Sequence, residues 1–133
     1  MRSRLAFAAL LLSGSLLCFA AANGAWLKKV PQADRERVNP YAGQSDAAAA
    51  GKNLYLENCA KCHGEDAGGH RGRPSLRSEQ LRNATDGEIA WIIKNGQMFK
   101  GMPSWAGLPE QERWQLVTYL RSLNPPNGSP PLR

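Results

Sequence analysis

Cys59 and Cys62 stand three apart in number with His63 immediately after them, in the run Cys59-Ala60-Lys61-Cys62-His63. Two thiols at this spacing followed by an imidazole form the pattern for covalent attachment of a c-type haem. Each thiol can add across one haem vinyl group to give a thioether, and the adjacent imidazole then lies under the iron. A structural zinc site would need four N or S ligands, usually with a second pair at its own spacing. The other cysteine is Cys18, inside an apolar N-terminal run, and the other histidine is His70, so such a set is hard to assemble. A thioredoxin-like redox pair calls for a β-α-β pattern, and none surrounds residue 59. A free Cys-x-x-Cys with an incidental histidine is the remaining alternative to haem attachment.

An iron held by one histidine is a redox centre or a reaction centre according to its sixth position, for which Met98, Met102, His70 and no ligand are the candidates. His70 follows His63 by seven residues on a loop leaving the same side, which makes the far face awkward to reach. Met98 and Met102 lie in Gln97-Met98-Phe99-Lys100-Gly101-Met102-Pro103, about 40 residues beyond His63, on a segment long enough to wrap a haem. Gly101 lets the backbone approach closely, and Pro103 fixes the turn and removes a donor. Met98 has no such framing and reads equally as a gap-filling apolar side chain. Met102 is therefore the expected ligand. A thioether raises the reduction potential, which suits electron transfer.

The elements that must position these residues read as helices. Ser45 or Asp46 offers an N-cap to a helix through the alanines 47–50, Leu54, Tyr55 and Asn58 as far as Cys59. Gly51 inside it costs about 1 kcal/mol relative to alanine, which points to close approach of another backbone. Residues 64–83 are glycine-rich and polar and read as an irregular loop with one helical turn near Glu79. Thr85 and Glu88 make a capping box for a helix that stops at Gly96. Pro109 suits a first helical position, and Trp114, Val117, Leu120 and Leu123, with Leu116 beside them, give the final helix an apolar stripe. No strand pattern and no repeat is evident.

Arg2 and Arg4 precede an uncharged stretch from Leu5 to Leu27 that contains Ala20-Ala21-Ala22. This is the order of a secretory signal, residues 1–22, and haem attachment outside the cytoplasm agrees with it. An uncleaved anchor is the competing reading, since the stretch is long enough to span a bilayer. Lys28 and Lys29 just beyond it run against the positive-inside tendency. Lipidation at Cys18 is disfavoured by the bulky Leu17 before it. Residues 23–45 form a linker or an extension laid over the domain, residues 46–124 the domain, and residues 125–133 a disordered tail. The chain has a formal charge of +6, without the dense basic and aromatic run of a nucleic-acid binder. A mild basic excess suits an acidic docking partner.

Taken together, Gly51-x-x-Leu54-Tyr55-x-x-x-Cys59-Ala60-x-Cys62-His63-Gly64, then Gly101-Met102-Pro103, then Leu116, Val117, Tyr119 and Leu120 resemble a bacterial class I mono-haem cytochrome c over about residues 47–123. The resemblance implies an all-α fold of three main helices and short helical turns around one covalent haem c. In it the first and last helices cross, with Gly51 and Tyr55 meeting Leu116 and Tyr119. It further implies that the carbonyl of Pro74 accepts from Nδ1–H of His63, strengthening the ligand, and that Leu76 packs on the haem. Trp91 and Trp105 are candidate haem contacts, Trp91 through a propionate, or else core residues. The implied activity is one-electron carriage in the periplasm, or in a membrane-anchored form facing it, between a dehydrogenase or respiratory complex and an oxidase or another cytochrome. No substrate pocket is implied. A fixed haem subunit of a larger oxidoreductase is the alternative, and a peroxidase would need an open sixth site.

Overall fold

Gly51 decides how the two longest helices meet. In a computed structural model describing residues 25–125, it lies midway along α2 (Ser45–Asn58), where that helix crosses α6 (Glu110–Leu123). A methyl group at position 51 would overlap the carbonyl of Gln115 and lie 2.9 Å from Cβ of Tyr119. Only hydrogen on that Cα lets the backbones come this close. Around the crossing, Tyr55 and Tyr119 pack with ring centroids 5.3 Å apart. Leu116, Val117 and Leu120 are buried beside them, as the stripe on α6 predicts.

The remaining helices are α1 (Gln32–Arg35), α3 (Ala60–His63), α4 (Glu79–Asn83) and α5 (Asp86–Asn95), with 3₁₀ turns at Leu27–Lys29 and Met98–Lys100. No strand occurs among the described residues; a single antiparallel bridge joins Gln97 to Met102. Three helices of ten or more residues plus short turns are the small all-α architecture that the sequence implies. The capping box forms as read: Thr85 Oγ1 accepts from the Glu88 amide at 3.1 Å, and Glu88 accepts from the Thr85 amide at 2.8 Å. Two helix starts differ from expectation, α2 capped earlier and α6 one residue later. Gln44, not Ser45 or Asp46, is the N-cap of α2, because its side chain and amide turn back onto Pro40 and Tyr41. Pro109 caps α6 from an extended conformation, with ψ 148°, instead of entering the helix.

Residues 26–45 lie across the domain. Trp26 and Val30 are buried in its core. Arg35 reaches the carbonyls of Leu27 and Val30 and pairs with Glu88 on α5, while the Arg35 carbonyl accepts from Thr85 Oγ1 at 2.9 Å. Further along, Arg37 stacks 5.1 Å over the Trp114 ring and pairs with Glu110. The Asn39 amide donates to Thr118 Oγ1 at 3.0 Å. The segment thus straps α5 and α6 from outside. The stretches read as a signal or anchor (1–22) and as a tail beyond Pro125 lie outside the described residues. No helix among those described is long and apolar enough to cross a membrane.

Candidate functional site

Between the helices lies a cavity of about 610 Å³ whose wall includes Cys59, Cys62, His63 and Met102. Ile89, Ile92 and Ile93 of α5 and Leu116 and Leu120 of α6 make much of the rest apolar. The two thiols are not bonded to each other.

The helix geometry on the cysteine side follows directly from the sequence. Cys59 ends α2 and starts α3, its carbonyl accepting from the amides of Cys62 and His63 at 3.1 and 3.0 Å. Both thiols and the imidazole are therefore carried on one short turn. Gly64, at φ 81°, ends that turn in a region costly for other residues. Its carbonyl accepts from the Tyr55 hydroxyl at 2.6 Å. The following loop folds back until the Pro74 carbonyl lies 2.9 Å from Nδ1 of His63. That places a proton on Nδ1 and leaves Nε2 with its lone pair free. Leu76, also on the wall, is fixed by its amide on the Ala67 carbonyl and by its own carbonyl on the buried Asn124 amide at 2.6 Å.

Met102 is set by a loop closed at its base. The Gln97 amide donates to the Met102 carbonyl at 2.9 Å and the Met102 amide to the Gln97 carbonyl at 3.1 Å. Gly96 ends α5 so close to Met102 and Pro103 that a side chain there would strike their backbone. Trp105, which lines the cavity, is pinned by its amide on the Ile93 carbonyl at 3.1 Å. Met98 sits on the same loop but is 70% exposed and is no part of the wall. His70 is exposed too, in a turn bonded to Arg73. Arg73 reaches across to the Met102 loop, donating to the Lys100 carbonyl at 2.8 Å with its guanidinium against Gly101.

Trp91, read as a haem contact or else a core residue, sits where the second reading puts it. Trp91 does not line the cavity; α5 turns Ile89, Ile92 and Ile93 toward it, and Trp91 falls off that face, partly exposed, against the core. In exchange the wall includes two residues that the motifs did not point to, Trp26 from the strap and Gln80 from α4. A lone tryptophan in an otherwise polar segment was the signal for the first; the sequence held none for the second.

Burial pushes the Cys59 thiol up to about 11, with the neighbouring Cys62 adding to it, so this sulfur is a neutral thiol until alkylated. Burial likewise raises the Tyr55 and Tyr119 hydroxyls above their ordinary range. Outside the site, hydrogen bonds from Trp114 and then Arg37 hold the Glu110 carboxyl below the usual range. A haem asks for a flat apolar space, two thiols on one side, nitrogen and sulfur donors for iron, and polar groups for its carboxylates. The cavity supplies each, with Arg73 and Lys100 on its wall as the charged polar groups. The residues fit the group.

Comparison with known proteins agrees. The family model described as cytochrome c oxidase, cbb3-type, subunit III matches residues 46–120. Cytochrome c-554(547) of Halothiobacillus neapolitanus is 38% identical over 87 residues, covering 57% of this chain and 96% of that protein. Cytochrome c550 of Pseudomonas aeruginosa is 34% identical over 89 residues, 64% of this chain and 61% of the relative. The cbb3-type cytochrome c oxidase subunit CcoP of Rubrivivax gelatinosus is 35% identical over 86 residues, 62% of this chain but 28% of the subunit. The chain thus spans little more than a quarter of the length of such oxidase subunits. Sharing one domain with short cytochromes and with a part of longer subunits, the chain belongs to the class I c-type cytochromes, in the family described as cytochrome c oxidase, cbb3-type, subunit III, and its cofactor is a single covalent haem c.

Proposed function

We propose that the chain is an exported one-electron carrier in which Cys59 and Cys62 form the two thioethers and His63 and Met102 are the axial ligands of iron. Bound haem supplies the Fe(II)/Fe(III) couple. The protein's part is to hold the frame around it. His63 presents Nε2 because Pro74 occupies Nδ1, and a hydrogen-bonded imidazole is the more basic ligand. Met102 is held by the paired Gln97 bonds, and its soft sulfur favours the reduced state. Leu76, Trp105 and the isoleucines of α5 keep water from the iron. The observation that carries the reading is that Cys59, Cys62, His63 and Met102 border one cavity from two separate segments, a helical turn and a loop, while Met98 faces solvent. With both axial positions filled there is no site for a substrate, so the chain acts as a carrier and not as an enzyme.

Periplasmic location is inferred from residues 1–22, with a membrane-anchored form facing the periplasm as the variant in which that segment is retained. The partners are redox proteins, a dehydrogenase or respiratory complex on one side and an oxidase or another cytochrome on the other. The optical spectrum of the holoprotein with its intact mass tests the reading. It expects one thioether-linked haem, a low-spin spectrum and a methionine-to-ferric charge-transfer band that Met102→Ala abolishes. A wild-type spectrum already high-spin refutes the ligand assignment and the carrier together. The match to cbb3-type oxidase subunits favours a second reading, a fixed haem subunit of a larger complex. Co-migration with an enzyme subunit in gel filtration, persisting through salt, would select it.

A further inference from the structure

We propose that Trp26 is a cofactor-contacting residue, packed against the haem and closing its pocket to water, and that the strap holds it there. The inference rests on the cytochrome reading above and concerns a residue outside its attachment and axial motifs. Trp26 is the strap's one contribution to the cavity wall; every other wall residue lies at Tyr55 or beyond. It is 9% exposed and belongs to the same apolar cluster as Ile89, Ile92 and Leu116, which share that wall. An indole brings a large apolar surface to such a place.

The strap is seated at two points. The first is Gly87, in the opening turn of α5. A methyl group there would strike the carbonyl oxygen of Asp34 and lie 3.1 Å from that of Arg35, so hydrogen at this position lets α1 rest directly on α5. The second is Arg35, which gathers the turn that follows Trp26. Its guanidinium donates to the Leu27 carbonyl and, at 3.1 Å, to that of Val30, and it pairs with Glu88, next after Gly87. The Lys29 amide closes the turn on the Trp26 carbonyl at 3.0 Å. Neither Gly87 nor Arg35 is part of the wall; they are positioning residues that act through Trp26.

Oxidation passes one electron to the redox partner and leaves one more positive charge at the iron. Water stabilises that charge and an apolar wall disfavours it. A ring that excludes water therefore favours Fe(II) and raises the reduction potential. Trp26 adds to the effect of the Met102 thioether from a part of the chain that neither motif reaches.

The test uses reduced, diamagnetic holoprotein, in which nuclear Overhauser contacts between indole and haem protons report direct packing. Contacts are expected from Trp26 and Trp105, both on the wall, and none from Trp114, which is buried off it. Potentiometric titration gives the second reading. Trp26→Ala should shift the potential downward, and Trp26→Phe, which keeps an apolar ring, should recover most of the loss. Gly87→Ala should shift it downward as well, with the Trp26 contacts weakened. Arg37→Ala releases the far end of the strap from Trp114 and Glu110 and should change neither reading. Absence of contacts between Trp26 and haem in the wild type overturns the proposal, whether or not the variants fold. So does an unchanged potential in Trp26→Ala with haem attached, or an equal fall in Arg37→Ala, which reports only general loosening. A fall in Gly87→Ala with the Trp26 contacts intact refutes the strap's part. Failure of the cytochrome reading itself would look different, as a wild-type protein without thioether-linked mass or low-spin spectrum.

Discussion

Gly51→Ala sets two effects of opposite sign against each other. Alanine is the better helix former by about 1 kcal/mol, so on α2 alone the change stabilises. In the folded protein the new Cβ would lie 2.5 Å from the carbonyl carbon of Gln115 and 2.9 Å from Cβ of Tyr119. Carbon contacts are comfortable at roughly 3.5–4.0 Å, so α2 and α6 must part by roughly 1 Å. Neither obstacle is the free end of a flexible side chain that could turn aside. The cost therefore belongs at the upper end of the overpacking range, about 3 kcal/mol, and the net loss is about 2 kcal/mol. For a domain of this size that lowers Tm by roughly 8–16 °C. Scanning calorimetry of the holoprotein, with haem attachment checked by mass, measures it. A variant as stable as wild type, or more so, would mean that propensity wins and that the helices can yield at their crossing.

Met102→Ala should convert the low-spin spectrum to high-spin, whereas Met98→Leu should leave it unchanged, since Met98 faces solvent. Arg35→Ala leaves the buried Glu88 without its cation, although the Thr85 amide still bonds it. Denaturant unfolding should show a loss of about 1–3 kcal/mol, and Arg35→Lys should recover only part of it, because an ammonium cannot span Leu27, Val30 and Glu88 together. The raised Tyr55 hydroxyl makes stability fall under alkali: as pH climbs past its ordinary value of 10.0, the unfolded chain ionises first and the native chain holds its proton. Plotted against pH, the stability of Tyr55→Phe should decline less steeply above that point, and an unchanged slope would refute the assignment.

Signals that act locally were legible in the chain. Thr85 and Glu88 are three residues apart and cap their helix from within, and the stripe from Trp114 to Leu123 lies along one face. Gly51 was readable as a contact because a glycine in mid-helix is unfavourable unless something crosses there. The strap was not readable in detail. Its anchorage uses backbone carbonyls and a pairing of Arg35 with Glu88 across 53 positions, and a backbone acceptor leaves no trace in residue type. Trp91 was open between haem contact and core, since a tryptophan near a site invites a role. Each step along a helix turns the side chain by about 100°, enough to carry Trp91 away from the face that Ile89, Ile92 and Ile93 share. Gln80 was silent because a glutamine on a short helix looks the same whether it lies in water or on a cavity wall.

Arg73 and Pro74 are consecutive residues, yet they hold different loops: the Pro74 carbonyl meets His63, and the Arg73 guanidinium grips the Lys100 carbonyl beside Gly101. Their Cα atoms are about 3.8 Å apart, so the two supports hang from adjacent residues of one short backbone stretch. Moving that stretch to release either loop disturbs the other. The imidazole and methionine segments should consequently open as one unit instead of fraying separately, and the amides of Gly69 and Met102, one in each loop, should exchange hydrogen at a common rate. For a centre whose oxidation state alternates at every turnover, such a joint keeps both sides of the pocket in the same geometry before and after the electron arrives.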